Sequence, residues 1–373
     1  MIFFKNIVRY SIISFFTLNT YSYCKLSEFD NMLWVVRDAM TSEESIDGLI
    51  DFSKKNNFKH LLVQVRGRGD SYYNSKFVPK SHLLKSKFDP LNYILESVKG
   101  TDIKIHAWIN VYYIWSTSTL PKQSNHLLFK HPNWLDSKSN NYISPEQIRN
   151  RKKIEGEGYY LSPTNYNVKN HIKKIIQELI NSYDIDGIHY DYIRYHDFEY
   201  GFNPLGVKAF KDKYSINKYI NKKEIIKNPK WGDFRRSNIT QLVAELNSLI
   251  KAKDPNCIIS AAVKPNIYEA KLRFGQEWDL WLSSGYINWA IPMNYSKENN
   301  IFISNINIIK DNIPQVYLEN IIMGIATYNQ SAKEAGQKVI ISRNLNFTNL
   351  SIFSYNSFIN KKGYWRKLKH YLK

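Results

Sequence analysis

Tyr183-Asp184-Ile185-Asp186-Gly187-Ile188-His189-Tyr190-Asp191-Tyr192-Ile193-Arg194-Tyr195 is the stretch whose reading decides the fold. Upstream of it, Val168, Ile172, Ile175, Ile176, Leu179 and Ile180 recur at the spacing of one helix face, which predicts an amphipathic helix. Asp186-Gly187 is a turn pair, so the helix hands over to a strand. Side chains alternate along a strand, which puts Gly187, His189 and Asp191 on one face and Ile188 and Tyr190 on the other. Asp191 then stands at the C-terminal end, beside His189, with Arg194 and Tyr195 just beyond. That end of the strands is where (β/α)8 barrels keep their chemistry. So tight a cluster of His, Asp, Arg and Tyr reads as a site. The plainer alternative is that Asp191 caps the next turn and pairs with Arg194.

Outward from this stretch the same alternation continues. Strands are predicted over 32–37, 60–66, 103–110, 187–191, 257–264, 287–295, 321–328 and 350–355. Helices are predicted over 41–56, from Asp89-Pro90 to Gly100, through the 168–180 stripe, and over 238–253, 278–284 and 333–342, with a basic helix from Trp365. Eight strands alternating with helices predict an α/β fold, a (β/α)8 TIM barrel with long loops after strands 3 and 4. Those loops are 111–162 and 196–236, the second rich in lysine. No internal repeat and no linker divides the chain.

The chain has 373 residues, 43% hydrophobic and 15% aromatic, which is ample for one barrel of about 250 residues with insertions. The 52 basic and 33 acidic residues leave a formal charge of +19, a surface that attracts polyanions. No zinc-finger spacing, RNA-binding sheet motif or compact basic helix accompanies it, so nucleic acid is not an expected partner. Two cysteines, Cys24 and Cys257, make neither a disulfide framework nor a metal site. No cofactor is expected. Lys5 and Arg9 precede a short apolar run and then Thr20-Tyr21-Ser22, the pattern of a signal peptide over 1–22. The expectation is export to periplasm, envelope or medium, with 23–373 as one barrel domain and no stable membrane insertion after cleavage.

Several strings carry a family resemblance: Trp34-Val35-Val36-Arg37, Gln64-Val65-Arg66 with Gly69-Asp70, His106-Ala107-Trp108-Ile109-Asn110, Leu161-Ser162-Pro163, the Asp186-to-Tyr192 strand, Trp231 with Arg235-Arg236, and Gly285-Tyr286-Ile287 with Pro292-Met293-Asn294-Tyr295. In this order, over roughly 30–356, the chain resembles glycoside-hydrolase-like family 10. The resemblance implies a TIM-barrel glycosidase fold and an exported protein acting on a polysaccharide, with peptidoglycan glycan strands stripped of peptides among the family's substrates. It also implies that Asp191 is an active-site acid. Many members carry a second acidic residue directly after that Asp, where this chain has Tyr192. Tyr195-His196 replaces a common Tyr-Pro.

Glycoside cleavage generally uses two carboxyl groups across the scissile bond. Asp191 is the first candidate, and Asp70, beyond strand 2, the second, with pairing to Arg66 or Arg68 as its plainer role. Asp186 lies about 16 Å back along the strand and reads as a turn residue. Glu277 is a weaker candidate, and the substrate's own N-acetyl group could replace the second carboxylate, assisted by Asn294 or Tyr295. The candidate sugar-binding residues are Arg66, His106, Trp108, Asn110, His189, Arg194, Lys264, Asn294, Tyr295 and Tyr328. Among them Arg66, Arg194 and Lys264 would suit an anionic sugar. The histidines lack metal-ligand spacing, and no metal is expected. The rival reading from another class is a non-catalytic glycan-binding barrel of the cell envelope.

Overall fold

The computed structural model describes residues 31–372, apart from 86, 139–147 and 149–155; the expected signal segment lies outside the described residues. Eight parallel strands form one sheet: β1 (Asn31–Val35), β2 (Phe58–Arg66), β3 (Lys104–Asn110), β4 (Gly187–Asp191), β5 (Ile258–Val263), β6 (Trp289–Pro292), β7 (Met323–Ala326) and β8 (Leu350–Phe353). Neighbours in sequence are neighbours in space, and β8 pairs with β1. Between β6 and β7 the ring is completed by the Ala290–Ile321 bridge, with hydrogen bonds from Ala290 N to Asn320 O (3.0 Å) and from Ile322 N to Ala290 O (2.9 Å). The expected barrel is therefore the observed one.

Local chemistry explains the helices. α1 (Glu43–Lys55) opens on a capping box at Ser42, α2 (Pro90–Ser97) on Asp89 with Pro at its first position, and α3 (Tyr166–Ser182) on Asn165. α4 (Pro229–Lys253) starts nine residues before the expected 238, because Asn228-Pro229 is itself a cap followed by a first-turn proline. α5 (Trp278–Ser283), α6 (Asn299–Asn312), α7 (Ala332–Asn344) and α8 (Tyr364–Leu372) complete the ring. α6 escaped the sequence reading. Its stripe of Phe302, Ile306 and Ile309 is set in an asparagine-rich segment of poor helix propensity, and burial against the barrel overrides that preference.

Two cores follow from the alternation along the strands. Side chains facing outward join the helices in the larger core. The inward set, including Met32, Trp34, Leu62, Trp108, Ile258, Ala262, Trp289 and Ile291, fills the barrel itself, as in a packed barrel rather than a pore. Gly187 is needed here: a Cβ on it would lie 2.3 Å from His106 Nδ1.

Neither long excursion is structureless. After β3, Tyr113–Trp115 pairs antiparallel with Tyr159–Tyr160. After β4, short helices over Pro204–Lys213 and Lys222–Lys227 gather around a satellite core of Phe202, Phe210, Ile225, Trp231 and Phe234. Among the described residues no helix is long and apolar enough to cross a membrane.

Candidate active site

At the C-terminal end of the barrel a cavity of about 540 Å³ opens over the ends of β3, β4 and β8. Asp191 lines it, only 6% exposed. Register explains the position. Asn110 pairs with Asp191 and Trp108 with His189, so the last inward residue of β4 sits level with the last of β3. Trp108 lies beneath, its indole N–H donating to Asn110 Oδ1 at 3.1 Å, while Asn110 Nδ2 donates to Gly67 O at 2.8 Å. Burial pushes the Asp191 carboxyl up to about 6, although the Tyr192 N–H (2.7 Å), Arg194 and Trp108 all favour its ionised form. Glu157 adds to the upward shift.

Glu157 is the residue that the sequence reading missed. It belongs to the same cavity, brought from the loop after β3. Arg194 Nη2 donates to its carboxylate at 2.7 Å, and the Tyr160 hydroxyl also donates to it. Burial raises this carboxyl, but Arg194 and Tyr160 outweigh burial and hold it below the usual range. The signal lay in Gly156-Glu157-Gly158. Gly158, at φ 133°, would place a Cβ 2.1 Å from Trp115 O, so the loop must pass close against the small sheet and present Glu157 inward.

Tyr192 follows Asp191 at φ 50°, a conformation that costs a non-glycine residue of order 1–3 kcal/mol. The turn lays its ring on Tyr113, with centroids 4.5 Å apart and planes at 19°, and beneath the Arg194 guanidinium at 4.9 Å. Tyr192, directly after Asp191, thus packs beneath the guanidinium that holds Glu157. Tyr295 also lines the cavity; its hydroxyl is buried without a partner among the described residues. Tyr328, 54% exposed, and Phe353 form an aromatic rim beside it. The Lys264 ammonium faces the cavity over the Phe274 ring at 4.4 Å.

Of the expected site residues, Asp191, Trp108, Asn110, Arg194, Lys264, Tyr295 and Tyr328 are brought together here. The others are not among the residues lining this cavity. Asp70 accepts the Arg68 backbone N–H at 2.9 Å and is buried in its own loop. Arg66 is fully buried, donating to Asn110 O and, at 3.4 Å, to Val111 O. His106 and His189 face inward as expected but sit deeper in the barrel. His106 shares a hydrogen bond with His60 at 2.9 Å, and His189 Nδ1 lies 2.8 Å from Ser260 Oγ. Asn294 donates to Phe302 O (2.9 Å) and accepts from Asn305 (2.9 Å), tying the end of β6 to α6. Glu277 is held by Thr240 and Arg236. The physical reason is common to them. Alternation gives a side chain's face, while depth and loop folding decide what it can reach. Among the described residues no group of three His, Cys, Asp or Glu side chains could hold a metal.

A closed parallel barrel with two carboxyl groups and an aromatic rim at the C-terminal mouth has the architecture of a TIM-barrel glycosidase domain. The glycosyl hydrolase-like 10 family profile matches residues 24–366, and the chain belongs to that family. The glycosyl hydrolase YngK of Bacillus subtilis is 29% identical over 215 residues, covering 56% of this chain and 37% of YngK. The glycosyl hydrolase DigH of Escherichia coli K12 is 25% identical over 230 residues, 58% of this chain and 46% of DigH. The aligned part of this chain thus spans less than half the length of these curated relatives. In fold, the chain is similar to the glycoside hydrolase domain of PgaB (BpsB) from Bordetella bronchiseptica, with a TM-score of 0.71 at 13% identity, covering 92% of this chain and 99% of that one. The catalytic domain of a Paenibacillus polymyxa β-amylase superposes with a TM-score of 0.62 at 12% identity, over 93% and 98% of the two chains.

Proposed function

We propose that the protein is an exported hydrolase of O-glycosidic bonds in an envelope or extracellular polysaccharide, with denuded peptidoglycan glycan as the favoured substrate. The observation that carries this reading is the split pair at the barrel mouth: a buried Asp191 raised to about 6 and a Glu157 held low by Arg194 and Tyr160. Two carboxyls whose environments push them apart are the acid and base assignments of a glycosidase. Asp191, protonated at mildly acidic pH, donates its proton to the glycosidic oxygen as the bond to the anomeric carbon breaks. Glu157, ionised, takes a proton from the attacking water or stabilises the positive charge on the sugar ring. Tyr295, Tyr328, Phe353 and Trp108 supply faces for sugar rings, and Asn110 an amide for hydroxyls. Lys264, with Arg37 and Arg68 on the cavity wall, favours a sugar bearing a carboxylate. The charged and then apolar N-terminal segment supports export.

The test is release of soluble sugars from purified denuded glycan. Wild type is expected to release them, and Asp191→Asn to release none while its circular dichroism is unchanged. Retained binding without release by wild type would replace the hydrolase with a glycan-binding barrel. Binding abolished by raised salt whatever the sugar would leave only a polyanion-binding surface. Export is checked by the mass of the mature chain, expected to begin near residue 23.

A further inference from the structure

A second cavity, of about 500 Å³, lies outside the barrel mouth and shares no lining residue with the first. Its walls are the 75–80 segment after β2, the short helix Leu127–Lys130 with the residues following it, and the N-terminal half of α3. Among the described residues no Asp or Glu lines it. Lys76, Lys130 and Lys174 do, all exposed, and none of them makes an ion pair among the described residues. Lys174 rests over the Phe77 ring at 5.9 Å, while the Glu178 carboxylate behind this wall is engaged by Ser75 Oγ and by the Lys76 backbone N–H at 2.6 Å.

A different observation points to a ligand. His171 lines the same cavity, is only 9% exposed, and its Nε2 has no hydrogen-bond partner among the described residues. A buried polar atom without a partner is unfavourable unless something completes it. The groups around this imidazole are positive: Arg66, His131, Lys174 and Lys130 join burial in holding it well below the usual histidine range, at about 3. The neutral ring can donate from one nitrogen to an anion that the lysines attract. The other walls suit a sugar. Trp134 stacks on His131, with centroids 3.9 Å apart and planes at 6°, and Asn167 and Asn170 present amides.

We propose that this cavity is a second, non-catalytic subsite for an anionic glycan strand, holding a sugar that carries a carboxylate or phosphate substituent. It rests on the reading of the protein as glycan-acting, but it concerns binding rather than cleavage. Three lysines ring the anion, His171 Nε2 donates to it, and the Trp134 face and the asparagine amides meet the ring and its hydroxyls. The subsite would retain a long strand while its scissile bond lies at Asp191.

The experiment is calorimetric titration of the whole protein with a galacturonic acid hexamer, and with a hexamer of the same sugar phosphorylated in place of its carboxylates. A neutral glucose hexamer serves as control. The Lys76, Lys130 and Lys174→Gln triple is compared with a Lys213, Lys223 and Lys227→Gln triple of equal charge change on the exposed 204–227 excursion, and with Lys264→Gln. The first triple is expected to weaken binding of at least one anionic hexamer tenfold or more, the second less than twofold, with the neutral hexamer unaffected. Which anionic hexamer responds tells carboxylate from phosphate. Equal losses in both triples would reduce the cavity to surface charge and overturn the proposal, as would loss of all binding in Lys264→Gln alone. All of these substitutions on the two triples are at exposed positions, so folding is expected to survive and is checked by circular dichroism. Failure of sugar release by wild type, with this binding pattern intact, would remove the hydrolase reading and leave the subsite standing.

Discussion

Two aspartates stand at opposite ends of β4 and do different work. Asp186, just before the strand, accepts the Ile105 backbone N–H at 2.8 Å and pairs with Lys104 at 2.9 Å. It stitches β4 to β3 at the base of the barrel. Asp191, at the other end, has a backbone N–H and an indole for company but no ion pair among the described residues, and burial raises it. The same side chain is a fastener where water and a lysine reach it, and a proton store where they do not. The barrel therefore keeps its stabilising charges at the base and its costly ones at the mouth, the division expected of this architecture.

The largest contrast is expected from Asp191→Asn. Loss of a general acid lowers kcat by about 10³-fold, read as sugar release from denuded glycan. Stability moves the other way. Burial raises the folded carboxyl to about 6 from the 3.8 of a solvated aspartate, so between these values the native state holds a proton that the unfolded state has lost. Stability conferred by the protonated form is full below pH 3.8 and declines as pH rises to 6. The amide removes this dependence. Asp191→Asn is thus expected to be up to about 3 kcal/mol more stable at pH 7, with the gain vanishing below pH 3.8; denaturant melts at the two pH values check it. Wild-type activity should fall as pH rises through about 6, the limb set by Asp191.

Glu157→Gln, which keeps the contacts to Arg194 and Tyr160 but removes the charge, should lower kcat about 10²-fold and abolish the acidic limb of the pH–rate profile. A profile unchanged on both limbs would show that Glu157 only positions Arg194. At Lys264, replacement by Gln is expected to raise KM about tenfold for a glycan bearing carboxylates and to leave a neutral one unaffected. For the base of the barrel, Asp186→Asn should leave kcat within twofold and lower stability by about 1 kcal/mol, measured by urea unfolding. Equal losses of activity in Asp186→Asn and Asp191→Asn would erase the division between the two ends.

An effect on stability alone concerns the buried imidazoles. Burial holds His189 at about 3. From pH 6.5 down to 3 the unfolded state takes up a proton that the folded state refuses, so stability falls with falling pH by about 1.4 kcal/mol per unit from this group. His189→Gln should remove that slope, as seen in melts between pH 4 and 6.

Much of this was legible in the chain, and for a local reason. Hydrophobic period distinguishes helix from strand, turn pairs mark the handovers, and Asp186-Gly187 leading to Asp191 places the acid at a strand end. The aromatic rim of Tyr295 and Tyr328 was equally readable, since both follow strands closely. What misled was depth. His106, His189 and Asp191 all face inward, but His189 lies about 6.6 Å below Asp191 along β4, and Trp34 at 4.5 Å closes over its ring. Asn294 is turned aside to α6, and Asp70 into its own loop.

From its residues alone, then, the chain settles an alternation of eight strands and helices and the strand end that bears Asp191, because these depend on neighbours within a few positions. Tertiary structure alone decides who shares the mouth. Glu157 arrives there because a small antiparallel sheet folds a distant loop over β4, and Arg66 is withheld because it is fully buried, with its Nη1 drawn to the Asn110 and Val111 carbonyls. Such meetings depend on strand stagger and loop packing between residues far apart in the chain, which no local period encodes.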